Sequence, residues 1–95
     1  MIVRISGIGQ YELNDQAVRQ LDQLDTALTN AMNEGDAEEF SRQLSQIVQL
    51  VQSQGGQIAD DRVVPSDVIV PPEDITLEEA RQYMTDEGLM QPLPA

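Results

Sequence analysis

Apolar residues alternate with polar ones at the start of the chain. In "MIVRIS" the β-formers Ile2, Val3 and Ile5 surround the polar Arg4, and this predicts a short strand. "QYEL" alternates again, with Tyr11 and Leu13 on one face, and predicts a second strand. "GIG", Gly7 to Gly9, supplies the turn between them, so the chain opens with a β-hairpin. The period then changes. Ala17, Leu21, Leu24, Leu28 and Ala31 recur at spacings of four and three, the stripe of one helix face. Asn14 is placed to cap this helix, and Gly35 to stop it. Asp36 caps a second helix, whose stripe is Ala37, Phe40, Leu44, Ile47 and Val51. Gly55 and Gly56 end it.

Two helices of about 18 residues, each about 27 Å long at 1.5 Å per residue, joined by so short a link must fold back antiparallel. Val48 and Leu50 widen the apolar face near the end of the second helix, so that end is expected to meet the sheet. The opposite end, near Met32 and Phe40, is expected to project away from it. A pair of strands is marginal alone, so the hairpin needs helices or a further strand against it.

From Gln57 the periodicity stops. "QIADDRVVPSDVIVPPEDI" reads as extended and irregular. Pro65, Pro71 and Pro72 deny a helix to its apolar centre, and Pro71 holds Val70 extended. An edge strand tolerates such prolines, with Val68 and Val70 on one face and Ile69 on the other. Asp67 after Ser66 suits an Asx-type turn. "TLEEARQYM" starts with a capping box, Thr76 and Glu79, and predicts a short helix whose inner face is Leu77, Ala80, Arg81 and Met84. Gly88 ends it. The fold class is α+β: an N-terminal β-hairpin, a long antiparallel helical hairpin, an extended Pro-rich segment able to form an edge strand, and a short C-terminal helix. Residues 1–90 are expected to form a single domain and 91–95 a flexible tail.

Composition narrows the chemistry. The 95 residues carry a formal charge of −12, and the five cations are all Arg. Such a chain is repelled by phosphate backbones and anionic lipid, which argues against direct binding to either. It suits solubility, or a partner with basic residues. Cys and His are absent, which removes thiolate sites, thiol nucleophiles and the commonest general base. Without His or Lys, none of Ser6, Ser41, Ser45, Ser53 or Ser66 has an activating side chain. "GIG" lacks the third glycine and βαβ setting of a dinucleotide site. The carboxylates, Asp60, Asp61 and Asp67 among them, fall in loops and helix starts, without an EF-hand spacing. No catalytic, cofactor-binding or metal-ligating set emerges. No basic and apolar leader opens the chain, and no run approaches a membrane span of about 18 residues. A cytoplasmic protein is expected.

Two signatures carry a resemblance. "MIVRISGIGQYEL" at the start and "VVPSDVIVPPEDITLEEAR…DEGLM" near the end resemble the PspA-associated protein family. The helical middle is less specific, and here it is Gln-rich. The resemblance implies an accessory role. Family genes usually accompany phage-shock protein A, an ESCRT-III-like coiled-coil protein that coats stressed inner membrane. A non-enzymatic adaptor or regulator of that protein, without cofactor, is therefore expected. It would reach the membrane only through its partner. An anionic surface would meet basic helix residues, and an apolar edge formed by Val68, Ile69 and Val70 with Leu89 and Met90 would supply affinity. A homodimer is also allowed, because two helices alone do not bury both of their broad faces. The competing expectation is a small acidic regulator or enzyme that holds a divalent cation with Asp60, Asp61 and Asp67.

Overall fold

A computed structural model describes residues 1–59 and 64–83. Strands β1 (Ile2–Ile5) and β2 (Gly9–Glu12) pair antiparallel, with Val3 opposite Tyr11 and Ile5 opposite Gly9. The turn between them uses Gly7 at φ 81°, in the left-handed region that disfavours other residues. Helix α1 (Asp15–Glu34) follows at once, and the Asn14 side chain accepts the Ala17 N–H at 2.9 Å. Gly35, at φ 73°, turns the chain out of α1, and the Asp36 carboxylate caps α2 (Ala37–Gln54) by accepting the Glu39 N–H at 3.1 Å.

The two helices pack antiparallel along their length. Their stripes form the core. Leu21, Leu28, Phe40, Leu44, Ile47, Val48 and Val51 are buried beside Val3, Ile5, Val68 and Val70 of the sheet. The C-terminal end of α2 meets β2, as the width at Val48 and Leu50 anticipates. Gly55 lies so close that a methyl group there would stand 2.5 Å from the Val51 carbonyl and 2.9 Å from Cβ of Tyr11. Gly55→Ala is therefore expected to lower stability by about 1–3 kcal/mol through overpacking. A lower denaturant midpoint with unchanged m would show it.

Several expectations need correction. Ala37 is exposed and does not join the α2 stripe. It sits in the first turn, beyond the reach of α1. Met32 and Phe40, at the end expected to project from the sheet, are not left exposed: both are buried in the core, and helix α3 (Leu77–Tyr83) packs over α1 near its C-terminal end. Ala80 is buried there, and the Arg81 guanidinium donates to the Met32 carbonyl at 3.1 Å. That cation also meets the negative end of the α1 dipole. The capping box at Thr76 forms as expected: Glu79 N–H donates to the Thr76 hydroxyl at 3.1 Å, and Thr76 N–H to the Glu79 carboxylate at 3.2 Å. Met84 and Gly88 lie outside the described residues.

The sheet has four strands in the order β3-β2-β1-β4. Strand β3 (Gly56–Ile58) follows α2 directly and pairs antiparallel with β2, where the sequence reads as extended and irregular chain without a paired strand. Strand β4 (Val68–Val70) runs parallel to β1 and closes the other end of the order. These pairings make β3 and β4 parallel to each other at opposite ends of the sheet. β3 and β4 stand about 14 Å apart, three strand spacings.

Candidate functional site

Cross-strand pairing assigns the two faces of the sheet. Val3, Tyr11 and Val68 share one row, and all are buried toward the helices. Arg4 pairs with Gln10 on one side and with Ile69 on the other, and Gln10 pairs with Ile58. These four residues form a row on the outer face, away from the helices.

Half of that outer face is covered. Gln10 is buried because its side-chain amide donates to the Val64 carbonyl at 3.0 Å and to the Ser66 hydroxyl at 2.8 Å. Val64 to Ser66 thus lie over β2 as a strap. Asp67 anchors the end of the strap by two bonds to one residue: its carboxylate accepts the Ile2 N–H at 2.8 Å, and its own N–H donates to the Ile2 carbonyl at 2.8 Å. The Asp67 side chain therefore ties the strap to β1, and the expected Asx-type turn gives way to this longer-range bond. Gln10→Leu is expected to cost about 1–3 kcal/mol, since it strips partners from groups beneath the strap. Hydrogen exchange should show faster opening of residues 64–67.

The other half of the face is open. Ile69 is 46% exposed, whereas Val68 and Val70 on either side of it are buried in the core. Of the proposed docking edge, then, Ile69 faces solvent, Val68 and Val70 face inward, and Leu89 and Met90 lie outside the described residues. Ile8, in the β1–β2 turn, is also 46% exposed, and Met1 is 38% exposed. The sequence reading misses Ile8 and Gln10. Ile8 sits between two glycines, where a turn requirement hides any other role. Gln10 looks like an ordinary outward polar residue until the strap is placed over it.

The charges lie elsewhere. Glu34, Asp36, Glu38 and Glu39 cluster at the α1–α2 turn, and Glu78 and Glu79 start α3. Arg42 pairs with Glu39 one turn away on α2, an exposed contact that contributes little to stability. Among the described residues, Arg4 makes no ion pair. Glu12 and Asp67 stand diagonal to it on the neighbouring strands. No group of three acidic side chains able to hold a metal ion occurs among the described residues. Asp60 and Asp61 lie outside them. None of the described helices is long and apolar enough to cross a membrane.

A family model described as PspA-Associated protein matches residues 1–92. The chain belongs to the PspA-associated protein family. Membership covers both signatures, the β1–β2 hairpin and the β4–α3 segment, as well as the helical hairpin between them. The family name indicates association with PspA. No curated protein and no solved structure matches the chain.

Proposed function

We propose that this PspA-associated chain is a non-enzymatic adaptor or regulator of a phage-shock-protein-A-like coiled-coil protein, acting by protein–protein binding. It works in the cytoplasm and comes to the inner membrane only through that partner. The family match over residues 1–92 is the observation that carries the reading. The exposed isoleucines beside β1 are consistent with it, because apolar side chains at a contact supply affinity once water is excluded. The net charge of −12 favours a partner with basic residues. The competing cation-binding reading draws no support from Asp67, whose carboxylate already holds the Ile2 N–H.

Sedimentation velocity of the chain mixed with the phage-shock-protein-A homologue of its own genome tests the proposal. A hetero-complex that weakens between low and moderate salt is the expected result. Independent sedimentation at both salt concentrations would overturn the direct-adaptor mechanism.

A further inference from the structure

Resting on that reading, we infer that the open half of the outer sheet face is the docking shelf, and that its occupant is a single amphipathic helix carrying basic residues. The shelf has Arg4 and Ile69 as its floor and the strap at Val64 along one side, and the exposed Ile8 lies in the turn that follows β1. It is two strands wide, about 10 Å, which is about the diameter of an α-helix with its side chains.

The position of the apolar surface supports the choice of face. Among the described residues, the large apolar side chains that remain more than a third exposed are Met1, Ile8 and Ile69. All three lie on the strands, their turn or the N-terminus, and none on a helix. Docking by strand addition is disfavoured. The edge strand β4 has three residues and is followed by Pro71 and Pro72, so it offers little ladder to extend. A ligand at this end of the sheet therefore lies on the face.

The charge selects the occupant. A second copy of the chain brings another −12, and so few shelf residues fall well short of the roughly 800 Å² per partner of a stable dimer. A basic helix is drawn in by the field of the whole molecule, and Glu12 and Asp67 at the margin of the shelf offset Arg4. The two contributions then separate in kinetics. The isoleucines hold the bound helix and set the dissociation rate. The carboxylates of the helices, which do not line the shelf, set the association rate.

The test uses the intact chain and two probes: the full-length phage-shock-protein-A homologue, and a synthetic Leu/Lys peptide with an amphipathic helical pattern. A scrambled peptide of equal charge is the control. Ile69→Thr and Ile8→Ser, both at exposed positions, should melt like the parent. Each should speed dissociation of the homologue about ten-fold or more while leaving association nearly unchanged. Glu34→Gln combined with Glu38→Gln and Glu78→Gln should slow association and flatten its salt dependence, with dissociation unaltered. The Leu/Lys peptide, unlike the scrambled one, should shift the methyl signals of Ile8 and Ile69 and spare those of Ile5 and Ile47. If the homologue binds but both isoleucine variants dissociate like the parent, the shelf is wrong and the adaptor reading stands. If Arg4→Glu weakens the complex, the occupant carries a carboxylate and the basic helix is wrong. If the homologue fails to bind while the Leu/Lys peptide still selects Ile8 and Ile69, the shelf stands and the partner is wrong.

Discussion

Phe40→Ala is expected to lower the free energy of unfolding by about 3–5 kcal/mol, the usual cost of emptying an aromatic site in a core. Phe40 is 1% exposed and is the largest of the fully buried side chains. It is also the sole Phe, in a chain with no Trp. It lies on α2 one turn from the hairpin link, at the level where α3 closes over α1. Its removal therefore leaves a void in the core that α1 and α2 share. A domain of this size has a total stability of about 5–10 kcal/mol, so the variant should be partly unfolded at 37 °C. A thermal melt followed by circular dichroism measures the loss. A melt within a few degrees of the parent would mean that Phe40 does not fill the core as described.

Val70→Asp is expected to abolish folding, and Ile69→Asp to leave it largely intact. The two positions are adjacent in β4 and have opposite surroundings. Val70 is fully buried opposite Ile5, and its carbonyl accepts the Ser6 N–H at 3.0 Å. An ionised carboxylate there would lose its hydration with no cation to meet it, a cost of several kcal/mol. At Ile69 the carboxylate stays in water beside the Arg4 side chain. What remains is the lower strand propensity of Asp, at most about 1 kcal/mol. Paired melts of the two variants decide the matter. Equal destabilisation would mean that β4 does not alternate as described. A folded Ile69→Asp chain is also the form in which loss of partner binding can be read as loss of contact.

Much of this fold is legible in the residues because its helices are local objects. Asn14, Gly35, Asp36 and Thr76 carry their own reasons for being caps, and the spacing from Ala17 to Val51 carries the reason for a hairpin. The sheet is less legible. β3 has three residues, one of them Gly, and nothing local distinguishes "GQI" from a loop. It becomes a strand because α2 ends against β2. Asp25 is another case. It is buried on α1 between Leu21 and Leu28, on the same face, yet its charge removes it from any stripe drawn by hydropathy. Thr29 beside it donates its hydroxyl to the Asp25 carbonyl at 2.9 Å, a local bond that lets a polar residue stay inside. The proposed docking surface was legible only in part. Alternation around Ile69 separates it from Val68 and Val70, but the companion surface at Ile8 depends on where the turn and strap fall in space.

The pairing of β1 with β4 has a consequence for how the chain is made. Ile2 and Asp67 exchange bonds across 65 residues of sequence, whereas the helical hairpin and the β1–β2 turn close locally. A ribosome producing the protein therefore releases the first strand long before its neighbour exists. For that interval the backbone groups of Ile2 and Ser6 that will meet the β4 segment stand unsatisfied beside a nearly complete core, the condition that invites pairing with another nascent chain. The Pro-flanked segment is then the last strand to enter the sheet, and its arrival both completes the core and withdraws those groups from neighbouring molecules.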